Sequence, residues 1–414
     1  MGQSNDVNVF QLRRRDPVAW TALLNNQPGL EKVVATAVTS RPLPYYPSQN
    51  QGISTRRTRY FVTLANHSDP IVFIGKRTNA TEAQFFQTFA ETFPSLLPHY
   101  YFVAIGDDTG WLITEDVPNH YPPPKWQHND IEDIITDLTN FHATYWNKTE
   151  SLREHKWLPH FVGREQKTYS WEELKQEKPI YFKEGPAAIL SEHAIHNAGR
   201  LAPSLLEAAN GLVVMRDLGG WPGVLGESHL QAAADLIDDP VPMLQPLLDL
   251  PLTLLHGAPH PYQWCLTLFN QRRLLNWEKP QIGPGVIDLV CFLEQFDLLY
   301  KPDSQQIYVR EERPSSEETV IDSYMLALSE KLGSASKTRD LRRAFAAARC
   351  LYVITNTFPS FAQWFNNMPD RYTWQRVNRM SNERLTNSKF KVLVNYRPYL
   401  SGVFRRFIRA YHSL

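Results

Sequence analysis

Residues 33–39, 60–64, 71–74 and 111–114 are short apolar or β-branched runs bounded by Gly, Pro, Asn or Asp. Runs of that length and punctuation predict strands of an antiparallel sheet. Between the third and fourth runs, residues 81–93 are good helix formers with Phe85, Phe86 and Phe89 at apolar positions, which predicts one helix packed on that sheet. Residues 117–129 hold Pro118, Pro122, Pro123 and Pro124. A segment so rich in proline can be neither helix nor central strand, so a lobe boundary is placed there.

Asp130 then reads as an N-cap with Asp133 in the first turn, followed at helical spacing by Ile131, Ile134, Ile135, Leu138, Phe141, His142 and Tyr145. From Ser204 onward, helical patterns alternate with Pro-rich breaks, and residues 319–332 and 339–355 are both amphipathic. The pattern predicts an α+β chain. Residues 1–117 form a small β-rich lobe with one helix, 118–129 a Pro-rich hinge, and 130–414 a large, mainly helical lobe. No internal repeat or low-complexity segment interrupts it.

Composition narrows the function classes. The 414 residues are 43% hydrophobic and 12% aromatic, enough to bury one large core or two moderate ones. Lys plus Arg equals Asp plus Glu at 43 each. A net charge of zero gives no general pull toward nucleic acid or membrane, so a charge-driven partner must read a local patch. Cys265, Cys291 and Cys350 are the only cysteines and form no C-x-x-C spacing, which argues against a disulfide framework or a cysteine-rich zinc site. Residues 1–15 carry charges where a signal peptide needs its apolar stretch, and no window approaches 18 uncharged apolar residues. A cytoplasmic protein without a transmembrane segment is the expectation.

Local motifs then sharpen the picture. The run I-V-F-I-G-K-R at 71–77 looks like a strand carrying an ATP-contacting lysine, Lys76, and Glu82 begins the helix that would hold its ion-pair partner. W-L-I-T-E-D-V at 111–117, with Glu115, looks like the strand leading into a hinge. L-T-N-F-H-A-T-Y-W at 138–146, L-L-H-G-A-P-H-P-Y-Q-W-C-L at 254–266, L-N-W-E at 275–278 and the segment 283–290 containing Asp288 follow in order. Together they resemble the aminoglycoside phosphotransferase and choline kinase-like superfamily over roughly residues 35–355. The resemblance implies a bilobal protein-kinase-like fold, an interlobe cleft for a small-molecule ligand, and ATP as cofactor. Arg216-Asp217-Leu218-Gly219-Gly220 imitates R-D-L and D-x-G signatures, but it precedes the H-G motif and is read as an exposed turn.

The same resemblance shows what is missing. Where the family places its catalytic aspartate stands Ala258, its metal-ligating asparagine is Gln263, and its metal-ligating aspartate is Asn276. Phosphoryl transfer in this architecture needs a carboxylate for the acceptor hydroxyl and anionic oxygens to hold Mg²⁺, so these substitutions withdraw support from Mg²⁺. A general base alone contributes about 10²–10⁴-fold. The phosphate-covering segment, S-Q-N-Q-G-I-S-T-R-R-T at 48–58, has the single glycine Gly52. His256 and Gly257 preserve the loop, and Asp288 is expected to bind its backbone N–H groups.

Each candidate also has a plainer reading. Lys76 with Glu82 is either an ATP clamp or a charged pair on an exposed sheet edge, and the clamp is favoured. His142 reads as a core or interlobe histidine making one hydrogen bond. His256 and His260 could face one zinc only on a helix, which Pro259 and Pro261 forbid. Glu278, two residues after Asn276, could replace the lost base only in a rearranged loop. The aromatics Trp157, Phe161, Tyr169, Trp171, Tyr181, Phe182 and Trp221 either line a pocket or belong to the core.

From Arg376 onward nine Lys or Arg face one acid, Glu383. Val403, Phe404, Phe407, Ile408 and Tyr411 form an apolar stripe there that either docks on an anionic membrane, a nucleic acid or an acidic partner or, the favoured reading, packs on the helical lobe while Arg405, Arg406 and Arg409 face solvent or an acidic groove of the same molecule. Three functions follow. The favoured one is a pseudokinase that keeps the ligand cleft without transferring phosphate. The others are a repurposed enzyme using His256, His260, Glu278 or Asp288, and an active small-molecule kinase with relocated ligands.

Overall fold

The computed structural model describes residues 8–43, 57–117, 120–163, 168–178, 186–300, 307–333, 338–365, 367–388 and 390–414. Gly52, Pro118, Tyr181 and Phe182 lie outside them. The chain is α+β and divides into two compact units, Met1–Trp126 with Tyr262–Pro280, and Gln127–Pro261 with Gln281–Leu414.

The first unit is built on strands β1 (Ala35–Pro42), β2 (Arg57–Leu64), β3 (Ile71–Asn79), β4 (Tyr100–Ile105) and β5 (Thr109–Glu115). They form one antiparallel sheet in the order β1-β2-β3-β5-β4. β3 is therefore central, so the sheet-edge reading of Lys76 does not apply. β4 went unpredicted because Y-Y-F-V-A-I has no polar alternation to mark it.

Two short helices, α1 (Val9–Arg13) and α2 (Pro17–Asn25), were also unpredicted, being too short to show a period. Asp16 caps α2 by accepting the Val18 N–H at 3.0 Å, and Pro17 supplies the preset first turn. Trp20 of α2 is fully buried against Tyr60 and Phe73, with ring centroids 5.1 and 5.3 Å away. Helix α3 (Ala80–Phe89) starts where Asn79 accepts the Glu82 N–H at 2.9 Å, and ends four residues earlier than expected. The strands Trp264–Thr267 and Arg272–Leu274 form a hairpin, with His120–Tyr121 as its third strand. Trp277, beyond that hairpin, stacks on Phe85 at 4.2 Å. Residues 262–280, counted on sequence with the helical part, thus cluster with the sheet.

In the second unit, α4 (His128–Thr144) carries the predicted apolar face of Ile131, Ile134, Ile135, Leu138 and Phe141. Its start differs from expectation. Gln127 is the N-cap, and Asp130, at the third helical position, accepts the Gln127 N–H at 2.7 Å. The helices Glu317–Leu332 and Thr338–Tyr352 match the two amphipathic stretches, and the second runs through a π-helical turn, Val353–Thr357, into Phe358–Phe365.

The helix Ala202–Leu218 is buried on nearly every side. Arg216, Asp217 and Leu218 are its last residues, closed by Gly219 in the left-handed region, and Gly220 accepts the buried Trp374 indole N–H at 2.8 Å. The decoy segment is accordingly a helix end, with Leu218 and Gly220 buried, and not a fully exposed turn. Gly211 lies against the helix Phe358–Phe365 so closely that a Cβ there would sit 1.9 Å from the Phe358 carbonyl oxygen. Backbone cannot swing aside as a side chain can. Gly211→Ala is expected to destabilise by about 3 kcal/mol, a fall of roughly 6–12 °C in Tm, and an unchanged thermal melt would refute this packing.

Within the C-terminal helix, Lys391–Tyr411, the side chains of Val403, Phe404 and Phe407 are fully buried in the unit, as expected of the apolar stripe. Arg405 and Arg409 are exposed, whereas Arg406 turns inward to Glu294 at 2.7 Å. Phe161 and Trp221 belong to the core. Among the described residues no helix is long and apolar enough to cross a membrane.

Candidate functional site

The residues singled out by motif fall into two sets, one in each unit. In the first unit, Lys76 on β3 is 7% exposed and its Nζ lies 2.5 Å from Glu82 Oε2, 2.9 Å from Glu278 Oε1 and 3.0 Å from Asn276 Oδ1. Glu82, 1% exposed, also accepts the Thr78 hydroxyl and, at 3.0 Å, the Trp277 backbone N–H. A carboxylate this deeply buried needs such a full set of donors. Asn79 fastens the other side by donating its amide N–H to the Glu278 carbonyl at 2.9 Å.

Asn276 itself sits at φ +61°, in the left-handed region that asparagine tolerates better than most residues. Its side-chain oxygen accepts from Lys76 and from the Arg57 guanidinium, and its amide N–H donates to Gln263 Oε1. Glu115 ends β5 as a structural tie, accepting the Arg273 guanidinium at 3.0 Å and the His99 N–H at 3.1 Å. Burial pushes the Cys265 thiol up to about 12 although Arg57 opposes the shift, so it is no thiolate nucleophile near neutral pH.

In the second unit the residues flanking Ala258 are held by Asp288, which is fully buried in the first turn of the helix Val286–Gln295. Its two oxygens accept the His256 N–H at 2.7 Å and the Gly257 N–H at 2.9 Å, the role the sequence resemblance implies for it. Gly257 is at φ +84°, a conformation glycine adopts without penalty. His256 Nδ1 accepts the Ala258 N–H at 3.2 Å, and the His260 N–H donates to the Ala258 carbonyl at 2.9 Å.

His142 departs from expectation by bridging two partners, 2.8 Å from the Tyr324 hydroxyl and 3.3 Å from Asp288 Oδ2. Burial, with the Asp288 charge adding to it, drives the Tyr324 hydroxyl far above its ordinary range, so it stays a neutral donor. His142 Nδ1 then accepts from it, which leaves Nε2 to carry the proton toward Asp288. Gly285 makes room, since a Cβ there would meet the Tyr324 oxygen at 2.4 Å.

No protein-family model matches this chain, and no curated protein matches it. Solved structures similar to it include a choline kinase from Cryptosporidium parvum Iowa II, at 13% identity and TM-score 0.44 over 93% of this chain and 99% of that one. A choline/ethanolamine kinase family protein from Mesorhizobium loti is similar at 11% identity and TM-score 0.41, covering 95% and 97%. An aminoglycoside phosphotransferase from Alicyclobacillus acidocaldarius is similar at 13% identity and TM-score 0.35, covering 85% and 90%. Nothing about this chain's chemistry follows from likeness at that level.

The magnesium implied by the sequence resemblance does not fit these side chains. The oxygens of Asn276 and Gln263 already accept N–H donors, and two cations, Lys76 and Arg57, stand at Asn276 where a divalent cation would need anionic oxygen. Among the described residues, no three His, Cys, Asp or Glu converge as a metal site. Arg57, Thr78 and Tyr324 were not identified from sequence. Arg57 is the second-last residue of the poorly punctuated 48–58 segment, and only its pairing across the sheet reveals its place.

Proposed function

We propose that this chain is a degenerate kinase-like protein that binds a small-molecule ligand without transferring phosphate. One observation carries the reading: the Asn276 oxygen is engaged by Lys76 and Arg57, and the carboxylates that converge there, Glu82 and Glu278, are both paired with Lys76. Two others support it. Ala258 offers no atom to draw a proton from an alcohol, while the loop around it is fully braced by Asp288. The Lys76–Glu82 pair is intact, so the cation that would meet a ligand anion is kept while the groups that would drive transfer are lost.

Three of the four groups offered for altered chemistry have other duties. Asp288 holds backbone, His256 Nδ1 caps Ala258, and Glu278 is paired with Lys76. The deciding measurement is transfer of labelled phosphate from ATP, with Mg²⁺ or Mn²⁺, to water, choline, ethanolamine and an aminoglycoside, acceptors suggested by the names of the similar structures. Transfer at the protein-free background is expected. Turnover abolished by Lys76→Ala would overturn the proposal.

A further inference from the structure

Arg57 and Lys76 stand directly opposite each other across β2 and β3, so their side chains leave the same face of the sheet. Like charges in directly opposed positions are destabilising unless other charges offset them. Lys76 has two, Glu82 and Glu278. Arg57 has none of its own among the described residues: its guanidinium is hydrogen-bonded to the neutral Asn276. A guanidinium carries five N–H donors in a fork that matches two oxygens of a phosphoryl group. Asn276 holds a left-handed backbone conformation while presenting its carbonyl to both cations, and such conformations cluster at ligand-binding positions.

We propose that Arg57 takes the place of the divalent cation, and that Arg57 and Lys76 together form a metal-independent site for a phosphoryl oxyanion. The inference rests on the reading that metal-assisted transfer has been lost. Glu278 holds the anion's place: its carboxylate is 2.9 Å from Lys76 Nζ, its side chain is 28% exposed, and it is free to turn outward when a phosphoryl oxygen replaces it. Glu82 is not displaced, because burial and the Trp277 N–H hold it. The anion is shared by two ligand sources, a nucleotide and a phosphorylated metabolite without a base.

Isothermal titration of the full chain with pyrophosphate and with ADP, in EDTA and again in Mg²⁺, tests this. Both anions are expected to bind in EDTA, and Mg²⁺ should weaken binding by sequestering them. ADP at least tenfold tighter than pyrophosphate would mark a nucleotide site, and equal affinities a site for the phosphoryl group alone. Arg57→Ala should weaken binding at least tenfold, as loss of charge-assisted hydrogen bonds does, with Arg57→Lys intermediate. Glu278→Gln should tighten it. Should Arg57→Ala fail to fold, as judged by circular dichroism, Arg57→Lys and Glu278→Gln still decide. Absence of binding in EDTA, binding that requires Mg²⁺, or affinities indifferent to Arg57 and Glu278 would overturn the site. None of these would restore phosphate transfer, whose appearance in the labelled-ATP assay is the separate failure of the functional proposal.

Discussion

Glu294→Ala is expected to lower stability by about 3–5 kcal/mol, because it removes the buried anion that two arginines share. Glu294 has no solvent exposure, and its carboxylate lies 2.6 Å from Arg349 Nε and 2.7 Å from Arg406 Nη2. Arg349 keeps Glu317 at 2.6 Å after the substitution, but Arg406 loses the only ion pair found for it among the described residues. Since Arg406 belongs to the C-terminal helix, that helix should loosen first, visible as faster amide exchange over 391–411. Glu294→Gln should be nearly as damaging, since it keeps the volume and removes the charge.

The effect carries a pH signature. Burial alone would raise the Glu294 carboxyl, but Arg349 and Arg406 outweigh it and hold the group below its ordinary value of 4.5. A folded-state value below the unfolded one means the contribution is fully present above the unfolded value and disappears as pH falls through the folded one. The gap in thermal stability between wild type and Glu294→Ala should therefore be constant near neutrality and shrink in acid. A gap independent of pH down to the acid transition would mean that the triad does not hold the fold through charge.

Lys76→Ala is expected to destabilise the first unit by about 3 kcal/mol, the lower end for breaking a buried pair. Glu82 would retain only neutral donors, the Thr78 hydroxyl and the Trp277 N–H. Adding Glu82→Gln to Lys76→Ala should recover more than half of the loss, because the amide oxygen can still accept both bonds without a stranded charge. Chemical denaturation of the two single variants and the double variant measures the coupling. Additive losses would show that the pair is not energetically linked. The double variant also separates fold from function, since it should be stable while losing the anion site.

Several elements were legible because their signals are local. The face of α4, the amphipathic pair at 317–332 and 338–352, and four strands of the sheet all follow from the spacing of apolar residues. What escaped had no local signal. β4 is almost uniformly aromatic and aliphatic, α1 and α2 are only five and nine residues long, and the start of α4 turned on Gln127, a poor N-cap that works here through Asp130.

The sequence alone determined that positions 258, 263 and 276 offer no carboxylate, since alanine, glutamine and asparagine carry none in any conformation. The resemblance implied that Lys76 and Glu82 pair, and the structure places them 2.5 Å apart. Only the tertiary structure decided what meets Asn276. Arg57 and Asn276 are 219 residues apart, and they meet because the register of β2 on β3 aims the guanidinium at a residue whose left-handed backbone turns its amide back. Strand register and backbone handedness are settled by the whole sheet and by the chain returning at 262–280, and nothing in the residues around Arg57 encodes either.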